Sequence, residues 1–545
     1  MCGIWALIEK HKINNDILIK YIGNFWNIKH RGPDNSQFQT FDKVYLGFHR
    51  LAIMDTSLNS NQPYIISDTQ RTIVFICNGE IYNFKDLDNI YNLDIGSSDC
   101  LTIPKLYIKL GETEWLKLFG SIIKGEFAFI MFEFNNLNQL SKYFIGRDMV
   151  GVRPLYTIKH NYIDMYSSEM KGMLYYNESV MEYPPGIIRS IYLNKFDYKT
   201  SDYDFSTIYN PRVYNIDESS CLVNVRNSVI NSIKRRLVSD RPIAFLLSGG
   251  VDSSLVAAIS THILGQPIKT FCCGIKGSTD MMYARLVATH IGSIHTEVYF
   301  TEEEGLSLIK DVVYTTETWD TTTIRASVGQ YIVSKYIANN TDCKVILVGE
   351  GPDEVCSSYL FNYYAPNATE LHIAAKDYVK EIHMFDGKRA DRCIARWGME
   401  ARIPLLDPEF INAYWDIEPQ MRLPTYNIEK YILRKAFDID NLLPKEVLWR
   451  KKEAFSDGIS SKEKSWHSVI QEYAKTELNN RMIDDTETSI PIASDAAYFK
   501  ILFHDFFGFN KDNIIPHFWQ PRWDKNGNII TSYVDPSART LQIYS

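Results

Sequence analysis

The sequence predicts two domains of different class: an α+β domain of stacked β-sheets with flanking helices, then an α/β domain on a doubly wound parallel sheet. Three observations carry this. From residue 40 to about 170, short apolar runs are broken by turn residues, with few amphipathic helices between them. After a polar stretch at 192–217, short apolar strands alternate with amphipathic helices. A length of 545 residues, at about 150 per domain, excludes a single small module.

In order, 16–28 reads as helix, 44–53 and 72–77 as strands, 99–110 as helix, and 127–134, 143–145 and 163–166 as strands. Beyond the polar stretch, 243–247 is a strand, 253–264 a helix and 268–274 a strand. A helix at 281–291 follows, with Asp280 as N-cap and Gly292 as C-cap, and 344–348 is another strand. These elements divide the chain into residues 2–200 and 218–545.

Hydrophobic residues make up 45% of the chain, enough for sizeable cores. The 58 Lys and Arg against 66 Asp and Glu give a net charge of −8, so no global positive field favours nucleic acid. Nine cysteines without a CxxC pair predict a reduced, cytoplasmic protein, and no apolar run reaches the roughly 18 residues of a membrane span. The start, MCGIWALIEKHK, lacks the basic region of a secretory signal.

Between strand 243–247 and helix 253–264 lies Ser248-Gly249-Gly250-Val251-Asp252-Ser253-Ser254. Two glycines let the backbone turn tightly and present N–H groups, and the helix N-terminus adds positive potential, so the unit suits phosphate. The other reading is a glycine turn with serine caps. No lysine follows the glycines, which excludes the P-loop pattern. Asp252 beside a phosphate calls for a bridging magnesium ion. A second loop, Val348-Gly349-Glu350-Gly351-Pro352-Asp353-Glu354, follows a second strand. Parallel strands end on one sheet edge, so the loops can converge, with Asp252 and Asp353 as metal ligands and Glu350 as acid or base. A solvated acidic loop is the other reading here.

Cys2 follows the initiator methionine. Removal of Met1 would leave an amine of pKa about 7.7–8.0 beside a thiol, which places nucleophile and base at one chain end. Asn78-Gly79 between strands reads as a hairpin turn.

Four ordered strings accompany MCGI: HRGPD at 30–34, HRLAIMD at 49–55, NGEIYN at 78–83 and SSD at 97–99. Together they resemble the class II glutamine amidotransferase domain, an N-terminal-nucleophile hydrolase fold of αββα layers, over residues 2 to about 190. The resemblance implies Cys2 as nucleophile and an oxyanion hole from the Asn78 side chain and the Gly79 N–H. It assigns Arg50 to the glutamine α-carboxylate and Asp99 to its α-ammonium, with Leu51, Ala52, Ile53, Met54 and Glu80 completing the pocket. Arg31 and Asp34 are expected to pair and hold the loop.

The 248–254 string resembles the pyrophosphate loop of ATP pyrophosphatases, of the adenine-nucleotide α-hydrolase type, and implies adenylation. With ETWDTTTIRAS at 317–327, GMEARIPLLD at 398–407 and RKKEAFSDG at 450–458, the whole resembles the glutamine-hydrolysing asparagine synthetase family. That family adenylates aspartate with ATP and Mg2+ and passes ammonia from glutamine to the adenylate along an apolar path. The likeness assigns Leu247, Ser248, Gly249, Gly250, Asp252, Ser253, Cys273, Val348 and Gly349 to ATP, and Thr322, Thr323, Arg325 and Glu350 to the aspartyl-adenylate. Glu350, Arg325 and Lys452 become catalytic, Lys452 on pyrophosphate. The partners are glutamine, aspartate and ATP, without nucleic acid or membrane, and a homodimer is a further expectation. Departures are Val348 for a usual Ser, Pro352 after Gly351, Cys356-Ser357-Ser358 in a usually glycine-filled stretch, and Cys273 at a hydrophobic position. Two other readings stay open: a related amidotransferase acting on another carboxylate, and a non-catalytic nucleotide- or amino-acid-binding relative.

Overall fold

The computed structural model describes residues 1–174, 179–193, 198–439, 441–452, 458–460, 465–481 and 493–536. The first domain carries twelve strands: β1 (Gly3–Glu9), β2 (Asn35–Phe41), β3 (Val44–Arg50), β4 (Tyr64–Ser67), β5 (Arg71–Ile81), β6 (Gly125–Asn135), β7 (Leu140–Arg147), β8 (Tyr156–Lys159), β9 (Ile163–Ser167), β10 (Met181–Glu182), β11 (Ile187–Leu193) and β12 (Tyr198–Asp204). They form two antiparallel six-stranded sheets, ordered β10-β8-β9-β1-β3-β2 and β12-β11-β7-β6-β5-β4.

Side chains alternate across each strand, so β1 sends Ile4, Ala6 and Ile8 inward against Val74, Ile76, Ala128 and Ile130 of the other sheet. Its other face sends Trp5 and Leu7 outward against Tyr21 of α1 (Asn15–Asn24) and Phe25 and Ile28 of the 3-10 turn that follows. The far face of the second sheet packs Phe75, Phe129 and Phe144 against Leu106 and Trp115 of α3 (Thr102–Lys117), with α2 (Phe84–Tyr91) beside it. The layers are helix, sheet, sheet, helix, as the resemblance implied.

The second domain opens with α4 (Glu218–Arg236). Its sheet holds β13 (Ile243–Leu246), β14 (Lys269–Gly274), β15 (Ile294–Tyr299), β16 (Val345–Leu347) and β17 (Glu400–Arg402), ordered β15-β14-β13-β16-β17 and parallel throughout. Between strands run α5 (Val251–Leu264) and α6 (Thr279–Ile291). This is the doubly wound sheet of the sequence reading.

Several boundaries move. Asn78-Gly79 lies inside β5, paired with Ala128 and Phe127, so it is not a hairpin turn. The N-cap of α6 is Ser278, whose hydroxyl accepts from Met281 N, and Asp280 sits in the first turn. The 192–217 stretch is only partly a connector, since β12 pairs with β11 and carries the second sheet past residue 200. Strands β1, β2, β4, β8, β10, β11, β12, β15 and β17 went unread. Among the described residues no helix is long and apolar enough to cross a membrane.

Candidate active sites

Cys2 stands at the start of β1, its thiol 3.7 Å from the Leu51 carbonyl and its own carbonyl accepting from Arg31 Nε at 3.1 Å. With Met1 attached, burial pushes the thiol up to about 11, with Glu80 and Glu400 adding to the shift, while the Met1 amine falls to about 6. Asn78 is fully buried, and neither its amide nitrogen nor its oxygen has a partner among the described residues. A buried unpaired amide is costly unless something comes to meet it, which suits an oxyanion donor. A Cβ on Gly79 would lie 2.3 Å from the Glu126 carbonyl, so strand β6 leaves room for no side chain there.

Arg50 grips the following loop: Nη1 donates to Ser57 O at 2.6 Å and Asn61 Oδ1 at 2.8 Å, and Nη2 donates to Asp55 O. That brace shapes the segment Leu51, Ala52, Ile53 and Met54, of which the first three are buried. Asp34 accepts from Ala52 N at 2.8 Å. Arg31 does not pair with Asp34: its Nη1 reaches Glu169 at 2.6 Å and Asp391 at 2.7 Å, because these carboxylates meet it at the domain boundary. Asp99 Oδ2 accepts from Ile81 N at 2.7 Å, and burial lifts its carboxyl to about 6. Glu80 is buried beside it and raised for the same reason, with Arg402 of the second domain 3.7 Å away.

The second site is a cleft at the C-terminal ends of β13 and β16, lined by Leu247, Ser248, Gly250, Asp252, Ser253, Cys273, Gly349, Glu350, Asp353 and Lys452. The first loop braces itself, Ser248 N donating to Ser253 Oγ at 3.1 Å. Gly249 has φ +75°, and a Cβ on it would meet Ala284 N at 2.5 Å. Asp252 and Asp353 converge on one point, since Lys430 Nζ reaches Asp252 Oδ2 at 2.5 Å and Asp353 Oδ1 at 2.6 Å. Lys452 bonds the other oxygen of Asp353, and the two ammonium groups hold that carboxyl far below its usual range. Glu350 accepts from Gln330 Nε2 at 3.1 Å and lies 3.4 Å from Arg389 Nη2; burial raises its carboxyl. Cys273 lines the cleft while its thiol donates to Gly329 O at 3.1 Å. Residues 453–457 of the lysine-bearing string lie outside the described residues.

The asparagine synthase family model matches residues 224–378 and 366–503, and the glutamine amidotransferase domain model matches 1–218. Asparagine synthetase (glutamine-hydrolyzing) of Gallus gallus is 36% identical over 581 residues, covering 100% of this chain and 99% of its own length. The chain belongs to the glutamine-hydrolysing asparagine synthetase family. The relative of that name from Homo sapiens is 35% identical over 580 residues, covering 100% of this chain and 99% of its own length. Among solved structures, glutamine phosphoribosylpyrophosphate amidotransferase from B. subtilis complexed with ADP and GMP aligns at TM-score 0.30 and 16% identity, over 50% of this chain and 67% of that one.

Not every residue expected at an asparagine synthetase cleft is brought there. Arg325 lies outside this lining: its Nε donates to Asp495 at 2.8 Å and its Nη1 and Nη2 to Asp535 at 3.0 and 2.8 Å, in the C-terminal segment. Thr323 donates from its N–H and its hydroxyl to Asp320, the N-cap of its helix, and Thr322, whose hydroxyl has no partner among the described residues, is also absent from the lining. Val348 lies behind the cleft, its N–H donating to Arg402 O. Sequence reasoning missed Lys430, Arg389 and Gln330, which line the cleft. No local pattern marked them, because each comes from a separate segment and meets the motifs only in the fold.

The family strings also hold the domains together. Arg236 bridges Glu126 and Asp407, each at 2.7 Å, and Arg153 bonds Glu126 at 2.9 Å. Glu317 accepts from Met170 N at 3.0 Å and Lys171 N at 2.7 Å. Met1 N lies 3.7 Å from Glu400, which also binds Arg402 at 2.8 Å. Beside these ion pairs, Met1, Leu51 and Ile53 share an apolar cluster with Ala401 and Ile403 of the second domain, and Cys2 packs against it.

Proposed function

We propose that this chain makes asparagine from aspartate, glutamine and ATP, with the chemistry divided between the two sites as follows. In the first domain, loss of Met1 frees the Cys2 amine to take the thiol proton, and the thiolate attacks the glutamine amide carbon. The Asn78 amide and the Gly79 N–H would hold the oxyanion, ammonia leaves, and water releases glutamate from the thioester. Asp99 faces the α-ammonium of glutamine, and the Arg50-braced loop shapes the pocket that receives it.

In the second domain, the 248–254 loop and the Lys430 and Lys452 ammonium groups receive the β- and γ-phosphates, and Leu247 and Cys273 border the adenosine. The aspartate β-carboxylate attacks the α-phosphorus and pyrophosphate leaves. Ammonia then attacks the acyl carbon of the adenylate and AMP leaves, with Glu350 placed to accept the proton that the nitrogen sheds. Arg389 is a buried guanidinium within the cleft and joins Arg325 as a candidate for a substrate carboxylate. Magnesium fits the converging carboxylates: Asp252 Oδ1 is buried without a partner, and the ion takes one or two carboxylates plus phosphate oxygens. When bound it would offset charge on the leaving pyrophosphate.

The observation that carries this reading is the convergence of Asp252 and Asp353, from loops after neighbouring parallel strands, on one point of the cleft that also holds Glu350. The test is an assay with Mg-ATP, aspartate and either glutamine or ammonium, scoring asparagine, AMP and glutamate. Cys2→Ala is expected to abolish glutamine-dependent synthesis and keep the ammonium-dependent reaction; loss of both would overturn the division into two sites.

A further inference from the structure

Behind the loop that carries Asp353, a small cavity is lined by Cys356, Ser357, His372, Tyr414 and Arg422. It has room for a single water-sized particle. Arg422 is 8% exposed, and its Nε and Nη2 are buried with no partner among the described residues. His372 and Tyr414 are 6% and 1% exposed; neither ring nitrogen of His372 has a partner, and the Tyr414 hydroxyl has only the Cys356 thiol beside it.

Among the described residues no carboxylate pairs with Arg422. The neighbouring charge is of the same sign: Lys376 and Arg212 both face this group, and Arg212 already has Asp416 as its partner. Burial, then Arg422, Lys376 and Arg212, hold His372 down to about 3, so it stays neutral and adds a donor without adding charge. A buried guanidinium without a counter-charge is costly, and three side chains here turn unpaired polar atoms to one small space. A neutral water would meet the hydrogen bonds and leave the charge.

We propose that Arg422, His372 and Tyr414 form a binding site for one small monovalent anion of halide size. The anion accepts from Arg422 Nε and Nη2, one imidazole N–H and the Tyr414 hydroxyl. Cys356 and Ser357, two of the departures from the family pattern, form the wall between this site and the ATP cleft. The site also meets the interdomain connector, because Asn215 pairs with Ile417 between Tyr414 and Arg422.

The test uses the full chain with bromide as probe. Crystals grown in sodium bromide are expected to show an anomalous peak between Arg422 and His372. In solution, bromide is expected to raise Tm saturably, while gluconate at equal ionic strength, too bulky to enter, does not. Arg422→Gln should weaken the bromide response roughly tenfold or more, the loss of a charge-assisted donor pair. Should that variant fold poorly, Tyr414→Phe supplies a milder one with a several-fold loss. A water without anomalous signal in the cavity, bromide only at adventitious surface positions, or equal Tm shifts in bromide and gluconate would overturn the proposal.

Discussion

Asp99 and Cys2 show what burial does to single groups that are to meet a charged or reactive partner. Asp99 has been lifted to about 6 by desolvation, yet its proposed work is as an anion opposite the glutamine α-ammonium. Below pH 6 the carboxyl takes up its proton and the counter-charge disappears; above it the charge is present. The expected outcome is a KM for glutamine that rises as pH falls through 6, with kcat and the ammonium-dependent reaction much less affected. Asp99→Asn should flatten that dependence at a high KM, and steady-state kinetics from pH 5 to 8 decide it. At this scale the sequence was informative where candidate residues sit beside their chain neighbours: Asp252, Asp353 and Glu350 were read from two loops that line one cleft. It was silent on Lys430, which reaches both carboxylates from a distant segment, and on the pairing of Arg325 with Asp535, some two hundred residues along the chain.

The working parts are strand ends and the turns that follow them. The turn after β13 holds only if Gly249 keeps φ +75° and the backbone of α6 keeps its 2.5 Å approach to the missing Cβ. Gly249→Ala is expected to cost about 3 kcal/mol or more, from strain and displacement together, and to remove most AMP formation while leaving glutaminase activity intact. Paired measurements of AMP release and glutamate release check this. Strands with buried apolar runs, such as β6 and β13, were legible. Those at the sheet edges were not: β2 reads NSQFQTF and β12 YKTSDYD, polar on both faces because neither is fully covered. The three-residue strand β17 is too short to show any period.

Over the whole molecule, the two domains are joined through buried charge. Arg31 is fully buried and binds both Glu169 of its own domain and Asp391 of the other. Removing one member strands the rest, so Arg31→Met or Asp391→Leu alone should each destabilise by about 3–5 kcal/mol. The double variant should lose less than the sum, measured as denaturant midpoints in a double-mutant cycle. Charge pairs this deep are screened little by mobile ions, which mute interactions between exposed charges more than about 10 Å apart at 0.1 M salt. Ionic strength is therefore a weak lever on how the two halves are aligned, and the register between the nitrogen-releasing and nitrogen-accepting ends of the protein is set by geometry that the surrounding electrolyte does not tune.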